Sequence, residues 1–287
     1  MERLEILLGA DPEVFMLKDA VFHSAHGAIK GDKKNPFKVN KGAVQVDGMA
    51  LEFNIDPAKN ADEFVQNLTT VMAILKEMVP GYDLAAVPVA EFDEAYIAAQ
   101  PAEALELGCE PDYNAWENGA ANPRPNAKVN FRTGAGHVHI GWTNDADTND
   151  PDHMSACIAL AKQLDYYLGI PSLIYDDGVK RRTLYGAPGA FRPKPYGMEY
   201  RVLSNAWLRS EGLMRWVFNT TNKAVQDLFQ GKGAFNNEDL NYFDIKEELM
   251  KKFPSSGIIA DVIDILGIDV PPGYKYDSYR GNFPKVA

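Results

Sequence analysis

Apolar and polar positions alternate most clearly over residues 42–54. Side chains two apart on a strand share a face. Val44, Val46, Met49, Leu51 and Phe53 therefore fall on one side, and Gln45, Ala50, Glu52 and Asn54 on the other, about a hairpin turn at Asp47-Gly48. A strand is predicted over 6–16, where Pro12 marks a sheet edge or a bulge because it cannot donate to a ladder. Over 135–142 the alternation puts Ala135, His137, His139 and Gly141 on one face and Val138, Ile140 and Trp142 on the other. Over 198–203 it turns Met198, Tyr200 and Val202 inward and Glu199 and Arg201 outward.

Helical spacing occupies 61–78 (Phe64, Leu68, Val71, Leu75), 152–168, 211–229 and, more briefly, 240–252. Gly169-Ile170-Pro171 is the stop signal after the second of these. The connection 101–128 is long, irregular and rich in Gly, Pro and Asn, which makes it a lid or substrate collar, or else a packed surface loop. The aromatic, Pro-rich end 270–287 is either a docked arm or frayed. Strands and helices interleave, but the hairpin and the period of two favour an antiparallel sheet with helices on its outer face, an α+β fold.

Four of these stretches place two chemically capable residues two positions apart: Asp11 and Glu13, Glu52 and Asn54, His137 and His139, Glu199 and Arg201. On one sheet they would share a face, where unpaired burial costs several kcal/mol or more per charge. Such crowded carboxylates also repel one another without a cation. The pattern points to a site holding metal ions and a polyanion. Glu13, Glu52 and Glu199 with one or two imidazoles suit Mg²⁺ or Mn²⁺ better than structural zinc. The His137-x-His139 pair alone fits a zinc chelate, a cupin-type iron site or a hydrogen-bonded scaffold equally well, although the acid a cupin needs a few residues later is missing. Arg181, Arg182, Arg192, Lys194 and Arg201 supply cationic donors for a polyphosphate. Arg181-Arg182 also reads as a solvated basic turn.

Composition narrows the field. With 29 Lys+Arg against 40 Asp+Glu, the net charge of −11 argues against nucleic-acid or anionic-membrane partners. No stretch approaches the roughly 20 apolar residues of a membrane span. The start of the chain lacks a signal peptide's basic and apolar regions. Cys109 and Cys157 form no motif and read as free thiols, so the expected location is the cytoplasm.

Several ordered motifs resemble the glutamine-synthetase superfamily. Gly134-Ala135-Gly136-His137-Val138-His139 is similar to its Gly-rich His-x-His strand, Glu199-Tyr200-Arg201 to its Glu-x-Arg strand, and Asp11-Pro12-Glu13 to its first acidic pair. The nearest likeness is to phage-type amidoligases, the second type of carboxylate–amine ligase, through GADPE, DGMALEFN, GCEPDYNAW and residues 181–208. Nothing beyond Glu211 is diagnostic. The resemblance implies a curved antiparallel sheet forming an open half-barrel, with a catalytic core over 1–210 and a helical extension over 211–287 packed on it. It implies ATP with Mg²⁺ or Mn²⁺, and location in the host cytoplasm if the gene is a phage's. Glu13, His137 and Glu199 would hold one metal, and Glu52 with Asp11 the second. Asp11 stands where the superfamily often has Glu. His139, Arg181, Arg182, Arg192 and Lys194 would meet the nucleotide, while Arg201 would act with Glu199 at the transferred phosphoryl group. Asp47, Asn54 and Asp112 remain for the substrates, Asp47 and Asp112 as candidate bases. The implied reaction joins a small-molecule or peptide carboxylate to an amine through an acyl phosphate. A phosphotransferase on the same fold, or a nucleotide-independent metallohydrolase or oxygenase, are the rival readings. Neither substrate nor the oligomeric state is written in these motifs.

Overall fold

A computed structural model describes residues 3–105, 112–123 and 129–286. Gly108-Cys109-Glu110-Pro111 lies outside the described residues, and Cys109 with it. The first surprise comes at Asp11-Pro12. Residues 6–16 do not make one strand but two, β1 (Leu7–Ala10) and β2 (Glu13–Lys18), which enter different sheets. Pro12 has no N–H to carry a ladder onward, and its carbonyl instead accepts the Phe53 N–H at 3.1 Å. The strands that follow among the described residues are β3 (Val21–His23), β4 (Phe37–Val39), β5 (Gly42–Asp47), β6 (Ala50–Ile55), β7 (Asp83–Ala85), β8 (Val89–Glu91), β9 (Tyr113–Asn114), β10 (Ala120–Ala121), β11 (Phe131–Thr133), β12 (Val138–Gly141), β13 (Ala190–Lys194) and β14 (Gly197–Tyr200).

One sheet runs β1-β12-β14-β13-β9-β10 and another β3-β2-β6-β5-β4, with β7 also on β2; β8 and β11 pair separately. Every pairing among these strands is antiparallel. The two large sheets stay open and meet at the Asp11-Pro12 break. There the Glu13 N–H donates to the Ala135 carbonyl at 2.9 Å and the Asn205 amide donates to the Glu13 carbonyl at 2.7 Å.

The hairpin faces follow the alternation, but its turn lies one residue later. Asp47 pairs with Ala50, so Gly48-Met49 is the two-residue loop, with Gly48 at φ +57°. Val44, Val46, Leu51 and Phe53 share one face, while Gln45, Asp47 and Glu52 share the other. Met49 leaves the main core and packs in a smaller cluster with Phe15, Ala90 and Phe92.

Helices cover the apolar side. α1 (Ala61–Met78) starts where the Asn60 side chain accepts the Glu63 N–H at 2.9 Å. α2 (Pro151–Leu164) begins with Pro151 after the Asp150 cap. It opens into a π-helical turn, Asp165–Gly169, in which Asp165 is buried, and continues through Ile170–Ser172, so Gly169-Ile170-Pro171 does not end it. The Asp165 carboxylate accepts from Trp116 Nε1 at 2.6 Å and from the Tyr200 hydroxyl at 2.7 Å. Burial pushes this acid up to about 7. α3 (Glu211–Phe229) is capped by Ser210. The expected helix over 240–252 shrinks to Ile245–Met250. α4 (Ser256–Leu266) is not among the elements anticipated, although Ile258, Ile259, Val262 and Ile263 have helical spacing. The C-terminal arm is docked: Val270, Tyr274 and Phe283 pack on the core, and Trp216 Nε1 donates to the Asp269 carbonyl at 2.7 Å. Part of the 101–128 connection is sheet edge, since Tyr113 pairs with Phe191 and Asn114 with Ala190. Burial pushes the Cys157 thiol up to about 12. None of the described helices is long and apolar enough to cross a membrane.

The alternation on β1 is directly testable, because Leu8 is fully buried while neighbouring Leu7 is 40 % exposed. Leu8→Ala should cost about 2–5 kcal/mol of unfolding free energy by urea titration. Leu7→Ala should stay within roughly 1 kcal/mol. Equal losses would contradict the assignment of faces.

Candidate active site

Register builds the site. One row across the first sheet reads Gly9, His139, Glu199, Arg192, and the next reads Leu7, Gly141, Gly197, Lys194. The intervening row, Leu8, Ile140, Met198 and Pro193, faces the core, as does the row beyond, Ala10, Val138, Tyr200 and Phe191. His137 and Arg201 lie just beyond the strand ends on the polar side. Their approach needs Gly136, where a Cβ would stand 2.1 Å from the Ser204 carbonyl oxygen. The Gly136 N–H donates to the Leu203 carbonyl at 3.0 Å, which locks the His137 segment to the Arg201 segment.

Glu199 is fully buried and surrounded by cations. Its Oε1 meets Arg201 Nη1 and lies 3.1 Å from His137 Nδ1. Its Oε2 lies 3.1 Å from Lys194 Nζ and 3.3 Å from Arg192 Nη1. Burial and the Asp11 charge push this carboxyl up, but His137 and His139 overcome both and bring it down to about 2. The expected carboxylate repulsion acts on Glu199 through Asp11 but is outweighed there. Asp11 Oδ1 lies 3.2 Å from His137 Nδ1 and 3.1 Å from His139 Nε2. Burial works against the Asp11 charge too, yet the two imidazoles hold it well below the carboxylate range. Burial lowers His139, and Asp11 then raises it above its usual value. Neither pairing has hydrogen-bonding geometry at Asp11 Oδ1 or His139 Nε2, and those atoms and His137 Nε2 are buried without hydrogen-bond partners. Asp11, His139 and Glu199 each offer an atom within 4.8 Å of the others, a spacing that fits a cation.

A second acidic group forms within the other large sheet, on β2, β6 and β5. Glu13 pairs with Glu52, and Glu52 with Gln45. Glu13, Asp47 and Glu52 each offer an oxygen within 4.8 Å of the others. Like charges directly opposite on a sheet destabilise it. Here repulsion does hold. Burial first, and then Asp47, raise Glu13 from 4.5 to about 7. Burial and then Asp11, Glu13 and Asp47 raise Glu52 well above its usual value. Gln45 Nε2 donates to Glu52 at 2.7 Å, the Ala135 N–H donates to Glu13 at 2.8 Å, and Lys33 Nζ lies 2.8 Å from Asp47.

The grouping of ligands differs from the expected one. The structure gathers Asp11, His139 and Glu199, with His137 between Asp11 and Glu199, and separately Glu13, Asp47 and Glu52. The cause is the break at Pro12, which leaves Asp11 just past the end of β1 and puts Glu13 at the start of β2, in the other sheet. Arg181 is a second correction. Its guanidinium is buried and donates to the carbonyls of Val202, Leu203 and Arg201 at 2.6, 2.8 and 3.2 Å, so it serves the backbone and not a phosphate. Arg182 is likewise buried and ion-paired to Asp176 at 3.1 Å. Asp112 lies 3.2 Å from Arg201 Nε. Asn54 lines an open cavity of about 1080 Å³ together with Gly9, His139, Gly141, Trp142 and Tyr196.

Sequence reasoning missed three neighbours. Tyr196 contacts His139 Nδ1 through its hydroxyl. Tyr185 lays its ring 5.1 Å from the Arg201 guanidinium and 5.7 Å from the His137 ring. Lys33 belongs to a loop without periodicity. Of these Tyr185 and Tyr196 carried a signal, since both lie within the run 181–208 that carries the resemblance, and Lys33 carried none.

Comparison with solved structures returns the crystal structure of a bifunctional glutathione synthetase from Pasteurella multocida, at a TM-score of 0.42 and 10% identity. The likeness covers 96% of this chain and 42% of that one, so this chain spans about two fifths of its length. No curated protein matches the sequence. The family comparison matches residues 120–247, which hold His137, His139, Arg192, Lys194, Glu199 and Arg201 but not Asp11, Glu13 or Glu52. That segment carries the sequence pattern of the phage phiEco32-like COOH.NH2 ligase-type 2 family.

Proposed function

We propose that this protein is an ATP-dependent carboxylate–amine ligase that works through an acyl phosphate. In this reading the sheets form the wall of a half-barrel, residues 1–210 make the catalytic core, and 211–287 pack on it as a helical extension. The observation that carries the reading is the convergence of Asp11, His137, His139 and Glu199 beside Arg192, Lys194 and Arg201 on one sheet face. It is supported by the ligase family match over the segment that supplies most of those residues.

Asp11, His137, His139 and Glu199 would hold one Mg²⁺ or Mn²⁺, and Glu13, Asp47 and Glu52 a second. Bound metal would supply charge neutralisation at phosphate oxygens. The cavity beside His139 and Tyr196 is the place for the nucleotide, with its phosphates toward Arg192 and Lys194. A substrate carboxylate oxygen attacks the γ-phosphorus, the bond to the β-phosphate oxygen breaks, and ADP leaves. The amine nitrogen then attacks the acyl carbon, phosphate leaves with the C–O bonding pair, and the nitrogen loses a proton. Arg201 is placed to hold the transferred group, because Asp112 and Glu199 fix its guanidinium from two sides. Asp112 and Asp47 are the carboxylates we assign to receive the proton. Catalysis here is positioning and charge neutralisation.

Three measurements test this. Arg201→Lys keeps the charge but loses the planar fork. Calorimetric Mg·ATP binding should persist, while amine-dependent ADP release, screened over carboxylate and amine panels, falls about a hundredfold, or ~3 kcal/mol. Unchanged turnover would remove Arg201 from the mechanism, and ADP release indifferent to amine would indicate a phosphotransferase.

Glu199→Gln should abolish that turnover. It should also lower the unfolding temperature, because four cationic or imidazole groups lose their shared anion. A variant that stays active would exclude Glu199 as a ligand.

Metal affinity should rise with pH. Glu13, raised to about 7, and His139, raised above its usual 6.5, must both be deprotonated to bind. Mn²⁺ binding by calorimetry should therefore tighten between pH 6 and 8, by up to about tenfold per pH unit for each proton released. Groups with a raised folded pKa contribute stability at low pH that is lost as pH rises through that value. The metal-free protein should accordingly melt lower at pH 8 than at pH 6, and Mn²⁺ should restore more at pH 8. A melting temperature that climbs with pH without metal would contradict the crowding at Glu13 and Glu52.

A further inference from the structure

Lys33 is the residue of the site that no motif announced. It lies near the tip of the connection between β3 and β4, in a tight turn. The Asp32 side chain accepts the Lys34 and Asn35 N–H groups at 2.8 and 2.9 Å. The turn is pinned to β5 by the Val46 N–H donating to the Gly31 carbonyl at 3.1 Å. Gly31 itself has φ +99°, and a Cβ there would stand 2.4 Å from the Val44 carbonyl oxygen. With the backbone fixed on both counts, the side chain of Lys33 reaches Asp47 Oδ2 at 2.8 Å while remaining 45 % exposed.

The ammonium thus sits among three carboxylates whose oxygens lie within 4.8 Å of one another. One positive charge does not neutralise three negative ones. Against one ammonium, three carboxylates leave the cluster short of roughly the charge a divalent ion carries. An ammonium on a four-carbon stem can swing out without moving backbone. A half-exposed position leaves it solvent to swing into.

We infer that Lys33 is a tethered, exchangeable counter-ion: it occupies the Glu13–Asp47–Glu52 cluster in the metal-free protein and leaves Asp47 when a divalent cation enters. The inference rests on the metal reading proposed above. It makes the metal-free cluster tolerable to the fold and sets a threshold for loading it, since each incoming ion must first displace a charge already paired.

The test compares the full-length protein with Lys33→Met and Lys33→Gln, using Lys34→Met as the control at an exposed neighbour. Mn²⁺ is the probe, titrated calorimetrically and by its electron paramagnetic resonance signal without nucleotide, beside thermal melting with and without Mn²⁺. Both Lys33 variants should melt lower without metal yet bind one Mn²⁺ at least about tenfold more tightly, and Lys34→Met should match the parent. If the parent binds Mn²⁺ and the Lys33 variants bind it no more tightly, the exchange is wrong and the metal reading stands. If neither the parent nor the variants bind Mn²⁺, both fall together.

Discussion

A carboxylate with no exposed surface, such as Glu199, is sustained only if cations meet it inside the protein, because removing an ion from water costs several kcal/mol even after relaxation. Much of the site can be read as the consequence of that one burial. Arg192 and Lys194 come from β13, His137 from the segment leading into β12, and Arg201 from the continuation of β14. They converge only in the antiparallel register that sets His139 against Glu199 and Glu199 against Arg192. A slip of one residue would turn Tyr200 and Phe191 into the charges' place. The buried carboxylate thus specifies register. The core face then reinforces the choice through the Tyr200–Asp165 hydrogen bond.

The two acidic groups are electrostatic opposites. Around Glu199 and Asp11 the anions are outnumbered, and their pKa values fall; around Glu13, Asp47 and Glu52 the anions dominate, and the pKa values of Glu13 and Glu52 rise. The first is held together by the protein's own charges and keeps its shape without help. The second holds together only in part, through Gln45, the Ala135 N–H and Lys33. In the proposed reading, the closed group would keep Arg192, Lys194 and Arg201 positioned while the open group takes up an ion.

Much of this was legible in the sequence. The helices Ala61–Met78 and Glu211–Phe229 coincide with their predicted spans because each has an uninterrupted apolar stripe and a polar cap. The faces of β5, β6, β12 and β14 were legible for the same kind of reason, since a period of two survives any small error in strand ends. The hairpin turn was misplaced by one residue because Asp47-Gly48 and Gly48-Met49 both offer the glycine, and only the cross-strand pairing of Asp47 with Ala50 decides between them. The split of 6–16 was half visible. Proline announces an interruption, but not that the two sides enter different sheets, and the grouping of the ligands follows from that alone. Lys33 could not be read at all, because a loop residue's reach is set by a turn and not by a period.

Arg181 shows why a basic motif is a poor guide to a phosphate site. Its neighbours in sequence, its charge and its glycine-rich surroundings all fit a polyanion, yet its donors close on three consecutive backbone carbonyls, those of Arg201, Val202 and Leu203. Those carbonyls belong to a segment that has left the ladder just after β14, and buried carbonyls without donors are costly. Gly186, at φ +74°, passes so close that a Cβ would touch the Arg181 guanidinium at 2.4 Å. The same turn carries Tyr185, whose ring lies 5.1 Å from the Arg201 guanidinium and 5.7 Å from the His137 ring. Arg181 therefore fixes Arg201 from behind and brings Tyr185 against it from the front. A residue that would have been one more charge in the site is, in this fold, the reason that Arg201 has a defined place in it.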